Sequence, residues 1–191
     1  MQLTHGRSPR IRIVHLSGAA FTALADGDLD AANRSSPVPL PPYFAGPAWA
    51  GIWRMRRDQV LVDPQSAAWV TGVIWDEARA LAVGRAGFHG LPDPSGMVEI
   101  GYAVAPDHRR QGYARAALSV LLERAAREPD VRVVRLTIAP DNTVSLRLAR
   151  ELAFVQVGQQ WDEEDGLEII YEMPVPPPAA TSEKQDAEPR R

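Results

Sequence analysis

The segment Val98–Leu122, VEIGYAVAPDHRRQGYARAALSVLL, narrows the folds open to this chain more than any other stretch. It alternates as a strand does, with Glu99, Gly101 and Ala103 on one face and Val98, Ile100, Tyr102 and Val104 on the other. A basic turn containing Gly112 follows, and then a long helix with an apolar stripe. Such a strand–turn–helix aims several backbone N–H groups one way, beside the positive end of the helix dipole. That arrangement binds phosphate oxygens. Gly112 lets a ligand approach the backbone, and Ala114 keeps the first helical turn clear of bulk. Arg109 and Arg110 add cationic partners for a diphosphate. Neither G-x-x-x-x-G-K-[ST] nor a G-x-G-x-x-G at a strand–helix turn is present, which sets aside the two commoner phosphate loops. Taken alone, R-x-x-G-x-A also fits a solvated turn ahead of a helix.

The flanks complete a mixed α/β pattern. IRIVHL (11–16) alternates as a strand, and Ser17 is placed to cap a helix over 18–24 that ends at the Asp26-Gly27-Asp28 turn. A short helix over 29–33 follows. Ser35–Pro47 carries five prolines, which excludes regular helix and central strand and suits a binding loop or lid. A helix over 49–58 brings Trp49 and Trp53 toward a core. The runs 69–75, 79–88 and 97–104 predict an antiparallel meander, and 131–138 a further strand. A helix over 143–152 shows an i, i+4, i+8 seam of Val144, Leu148 and Leu152. Two last strands, 155–161 and 167–173, flank the acidic tip 162–166. The expected organisation is one domain over 1–173, with helices packed on a central sheet, and a disordered proline-rich tail over 174–191.

A net charge of −3 over 191 residues argues against a general nucleic-acid binder, which needs a basic face, and leaves room for a local basic pocket such as Arg109-Arg110. The chain has no cysteine, which removes disulfides, thiolate metal sites and a cysteine nucleophile together. The four histidines, His5, His15, His89 and His108, show no ligand spacing, so no metal is expected. No signal-peptide core or membrane-length apolar run is visible, and a cytoplasmic protein is the expectation.

Residues 99–154 resemble the GNAT acetyltransferase superfamily. The resemblance rests on the strand EIGYAV, the turn RRQGYA fitting [RQ]-x-x-G-x-[GA], the strand VVRLTIA, and APDNTVSLRLARELAF, in that order. EIGYAVAPDHRRQGYA and NTVSLRLARELAF look most like the branch containing the ribosomal-protein-alanine acetyltransferases. The resemblance implies a mostly antiparallel sheet splayed at one parallel strand pair, with helices on both faces. It implies acetyl-CoA as co-substrate, its pyrophosphate cradled by the amides of Gln111, Gly112, Tyr113 and Ala114. Its pantetheine arm would pair with the backbone of Tyr102, Ala103 and Val104. Asn142 would bond it near the splay, cap the helix from Thr143, or do both.

Acetyl transfer to an amine requires a base, a polarised thioester carbonyl and a stabilised thiolate. Glu99 interrupts an otherwise small face of a central strand and is the candidate base; the plainer reading is a carboxylate paired with an arginine or reaching solvent. Many family members carry a tyrosine acid where this chain has Ala149, and the glycine of their G-F pair is Ala153 here. Tyr171 is the nearest substitute in sequence, and is better read as packing. His89, at a strand end, either faces the acceptor or is a polar turn residue. The resemblance thus implies an N-acetyltransferase acting on a protein N-terminus, an amino acid or a small amine. The acceptor is expected between 35–47, the 49–58 helix and the 161–166 hairpin. A non-catalytic acyl-CoA-binding module of the same fold is the alternative, and the last strands are free to pair across a homodimer.

Overall fold

The computed structural model describes residues 9–163 and 166–176. Its strands are β1 (Ile11–Val14), β2 (Gly72–Asp76), β3 (Leu81–Phe88), β4 (Met97–Val104), β5 (Val133–Ile138), β6 (Val155–Asp162) and β7 (Gly166–Pro174). They form one sheet in the order β1-β2-β3-β4-β5-β7-β6. Every adjacent pair is antiparallel except β4 and β5, and β2-β3-β4 is the meander that the alternation predicts. The helices are α1 (Gly18–Ala25), α2 (Leu29–Ser35), α3 (Ala50–Val62), α4 (Tyr113–Ala125) and α5 (Thr143–Glu151).

Each sheet face carries its own core. Val14, Leu16, Val73 and Trp75 pack with Phe21, Leu24 and Trp53 of the N-terminal helices. On the other face Ile74, Phe88, Val98, Ile100 and Leu136 pack with Leu118 and Leu121 of α4 and Leu148 and Ala149 of α5. A sheet covered on both sides explains why every residue of β2 is buried. Full burial of Val73 and of Ile74 contributes about 1.5–3 kcal/mol each. Ser17 caps α1 by accepting the Ala20 N–H. The proline-rich segment forms single 3-10 turns at Pro42–Ala45 and Pro47–Trp49, each opening on a proline, and the Trp53 indole fixes the first by donating to the Phe44 carbonyl at 2.7 Å.

Three expectations change. Val144 is 67% exposed, so the buried stripe of α5 is not the predicted Val144–Leu148–Leu152 seam. Of that seam Leu148 is buried and Leu152 packs against the core; Leu146 and Ala149 are buried with them, because α5 meets the sheet turned from the assumed phase. The ordered chain also does not stop at 173: Pro174 pairs with Val133, and the buried Val175 donates its N–H to the Arg132 carbonyl at 2.8 Å. The rest of the expected tail, 177–191, lies outside the described residues. Finally, Trp69–Thr71 stands outside β2, after a 3-10 segment at Pro64–Ala68.

The feature that positions a site is the β4–β5 seam. The two strands pair only at Met97↔Val133, Val98↔Val134 and Glu99↔Arg135. Beyond Glu99, β4 stays with β3 as far as Gly84↔Val104, while β5 stays with β7 as far as Ile138↔Ile169. The sheet therefore opens between them, leaving the facing edge of β4 without a strand partner.

Candidate active site

The opening leads into a cleft of about 850 Å³. Tyr102, Ala103 and Val104 form its β4 wall; Arg109, Arg110, Gly112, Tyr113, Ala114 and Arg115 its turn and α4 wall; Asn142, Ser145, Arg147 and Glu151 its α5 wall. All the residues assigned to a ligand from sequence line it except Gln111, whose side chain turns to Arg79 Nη1 (3.1 Å) and the Asp107 carbonyl (3.1 Å). Two left-handed residues, Arg110 at φ +59° and Gly112 at φ +85°, bring the chain round so that α4 starts at Tyr113 with its first N–H groups at the cleft. Asn142 caps α5, accepting the Ser145 N–H at 3.1 Å. Arg109 Nε donates to the Val104 carbonyl at 3.2 Å. An Arg115–Glu151 ion pair bridges α4 and α5 across the cleft, with Arg147 beside it. Sequence reasoning missed Arg115, Arg147 and Glu151; the i, i+4 spacing of Arg147 and Glu151 was their one local signal.

Tyr113 anchors the turn from below. Its buried hydroxyl donates to Asp76 Oδ2 at 2.6 Å and accepts from Arg79 Nη1 at 3.2 Å. Burial pushes the Asp76 carboxyl up, but the Tyr113 hydroxyl, the Arg79 and Ala78 amides and the Arg79 charge outweigh it and hold it below its usual value. Tyr113→Phe is expected to cost about 1.5–3 kcal/mol, because it strips a hydrogen bond from a buried carboxylate. The stability supplied by Asp76 is present above its unfolded pKa and is lost as pH falls through the depressed folded one. In Tyr113→Phe the acid-unfolding midpoint should therefore move to higher pH, as followed by circular dichroism.

On the other face of β4 lies the carboxylate. Glu99 is 19% exposed; its Oε1 accepts from the Thr137 hydroxyl and stands 3.5 Å from His89 Nδ1. Arg135, its neighbour across the β4–β5 pair, is committed to Glu172 at 2.6 Å. Among the described residues no arginine forms an ion pair with Glu99, so of the plainer reading only its partial contact with solvent remains. His89 is held at its backbone: its N–H donates to the Glu99 carbonyl at 2.8 Å, and its carbonyl accepts from Arg56 Nη1 at 3.0 Å and Gln59 Nε2 at 2.8 Å. Its ring lies on Gly101, where a Cβ would meet Nε2 at 2.7 Å. Loss of water, opposed by Glu99 and reinforced by Arg56 and Arg85, lowers its pKa from the ordinary histidine value, which favours the neutral ring. Gly101→Ala should displace the imidazole and lower kcat at least tenfold, since a misplacement of about 1 Å costs up to about 10²-fold. The melting temperature should hardly change, because a half-exposed side chain is what moves.

Ala149 offers only a methyl and is fully buried, so α5 presents no hydroxyl there. One turn earlier, Ser145 Oγ accepts the Tyr102 hydroxyl at 2.9 Å in the cleft. Tyr171 is buried as a packing residue, its hydroxyl without a hydrogen-bond partner among the described residues. The β6–β7 hairpin extends past the end of β5 on the side of the opening; Glu164 and Asp165 of its tip lie outside the described residues. Among the described residues there is no cluster fit to hold a metal ion.

Residues 21–155 match the model of the acetyltransferase (GNAT) domain, and the chain belongs to the GNAT acetyltransferase family. An L-2,4-diaminobutyric acid acetyltransferase of Streptomyces coelicolor is 32% identical over 54% of this chain and 67% of its own length. RimL, the ribosomal L7/L12 alpha-N-protein acetyltransferase solved with coenzyme A, superposes with a TM-score of 0.61 at 16% identity, over 86% of this chain and 94% of that one. The ribosomal-protein-S5-alanine acetyltransferase of Vibrio fischeri does so with 0.60 at 15% identity, over 97% and 98%. These two structures share the fold.

Proposed function

We propose that the chain transfers the acetyl group of acetyl-CoA to a primary amine, entering from the Glu99–His89 face of β4. The observation that carries this reading is the parting of β4 from β5 directly after Glu99, with the opening running to the N-terminus of α4. The residues present fit the co-substrate. The amides of Gln111 to Ala114, with Arg109, Arg110, Arg115 and Arg147, suit its phosphates, and Asn142 adds a polar contact. The free edge of Tyr102–Val104 suits the pantetheine arm. Acetyl-CoA supplies an electrophilic thioester and a thiolate leaving group. A β4 backbone N–H polarises the carbonyl. His89, neutral and backed by Glu99, takes the proton of the attacking amine directly or through water. The Tyr102 hydroxyl, held at Ser145, is the group nearest in role to the acid that Ala149 does not provide.

The acceptors to try are an amino acid, a small amine and a protein N-terminus; diaminobutyrate, named for the curated relative, is one, and an alanine-starting peptide another. Free thiol released from acetyl-CoA should rise with at least one of them and fall at least tenfold in Tyr102→Phe. Ala149 favours the second reading, a binding module. Tight acetyl-CoA binding with thiol release at background for every amine would establish that instead.

A further inference from the structure

The acceptor side of β4 holds a cation, Arg85, that enters no ion pair with any described residue. The β3–β4 register sets Arg85 opposite Ala103, on the same face as Glu99 and Gly101. Its guanidinium lies 4.3 Å over the Trp49 ring, and Trp49 meets Tyr43 edge-on at 5.3 Å. Arg85 Nε and the Tyr43 hydroxyl are both buried without a hydrogen-bond partner. Burial brings the Arg85 pKa down to about 10. Around it stand Arg56, also brought down to about 10 by burial and then by Arg85, the His89 ring, and Arg109, whose charge reaches Tyr43. The charge of Glu99 acts on Arg56, and this carboxylate is already engaged by Thr137 and His89.

A cation whose Nε–H is buried without an acceptor carries a desolvation cost, and an anion that brings the missing acceptor relieves it. Nε–H and the tyrosine O–H are both donors. A planar carboxylate, which the arginine fork matches two oxygens to two N–H groups, satisfies them best. Trp49 would keep the guanidinium plane in place by stacking.

We propose that Arg85 and Tyr43 form a carboxylate subsite of the acceptor pocket, so that the acceptor is a small amine that also carries a carboxylate. This rests on the acceptor entering from the Glu99–His89 face, as proposed above. A polyamine, with no anion to offer, meets Arg85 and Arg56 as like charges. A phosphate of the co-substrate is the other anion within the site's chemistry, and the test separates the two.

The test is calorimetric binding to the full chain saturated with coenzyme A, where no turnover is possible. The probes are amino acids paired with their decarboxylated amines, such as ornithine with putrescine and lysine with cadaverine. The carboxylate member of at least one pair should bind about ten- to hundredfold more tightly, the worth of a charge-assisted hydrogen bond or two. Arg85→Met, which keeps the apolar stack on Trp49, should erase that ratio and leave the acetyl-CoA Kd unchanged. The near-isosteric Tyr43→Phe should reduce the ratio in part, and keeps the test open should Arg85→Met not fold. Equal binding of the two members of every pair, tighter binding of the decarboxylated amines, or loss of acetyl-CoA affinity in Arg85→Met with the ratio intact overturns the subsite. Discrimination in binding without thiol release would leave the subsite standing and remove the catalytic reading instead.

Discussion

Replacing His89 with alanine is expected to lower kcat by about 10²–10⁴-fold, the usual worth of a positioned general base. The reason is geometric before it is electrostatic. The imidazole rests on Gly101, its backbone is clamped by Arg56, Gln59 and the Glu99 carbonyl, and Nδ1 faces Glu99 Oε1 at 3.5 Å. The ring then offers Nε2 to an incoming amine, while the carboxylate stabilises the imidazolium that forms. Glu99→Gln keeps an oxygen for Thr137 but removes the charge, and the pH dependence tells the two roles apart. Partial loss of water, with Arg56 and Arg85, depresses the His89 pKa and Glu99 opposes them. Activity should therefore hold at pH 6.5 and fall only as pH drops through the depressed value. Without the Glu99 charge that value falls further, so the acid limb of kcat/KM in Glu99→Gln should move to lower pH. In His89→Ala this limb should vanish. The linked stability has the same sign: it is whole above pH 6.5 and declines below, where the unfolded chain binds a proton that the folded one resists. An acid limb unmoved by Glu99→Gln would remove the pair from the mechanism.

Gly112→Val should raise the Kd for acetyl-CoA by about ten- to hundredfold while changing kcat at saturation little. At φ +85° a side chain is strained by about 1–2 kcal/mol. The new Cβ would also stand 3.3 Å from Pro9 Cδ, with the two valine methyls crowding further. The turn can relieve this only by rotating the peptides that lead into α4, and those peptides carry the N–H groups at the cleft. Titration by calorimetry checks it. A Kd unchanged in the folded variant would mean that the turn does not hold the phosphates.

The two halves of the site were unequally legible in the sequence. The turn, the strand before it and the Asn142 cap are each local: alternation, one glycine and one capping side chain specify each of them from its own few neighbouring residues. The environment of Glu99 is not local. Thr137 arrives through a parallel pairing that begins at Val133, and His89 through an antiparallel strand, so Glu99 read only as a polar interruption. Arg85 was silent for a different reason. Inside a strand an arginine reads as the polar half of an alternation, and only the β3–β4 register sets it against Ala103 beneath Trp49. Tyr43 lay in a proline-rich segment whose composition excluded helix and strand without saying what the tyrosine would touch. In α5 the apolar positions supported two neighbouring phases, and packing on the sheet chose the one that buries Leu146 and Ala149 and leaves Val144 outside.

The most direct measurement is a crystal structure of the protein with acetyl-CoA bound. Phosphates against the N–H groups of Gln111 to Ala114, a pantetheine arm along Tyr102–Val104 between β4 and β5, and a thioester within reach of the His89 ring are expected. Acetyl-CoA bound elsewhere, or held at the α4 turn with its arm outside the β4–β5 opening, would contradict the reaction proposed for this site.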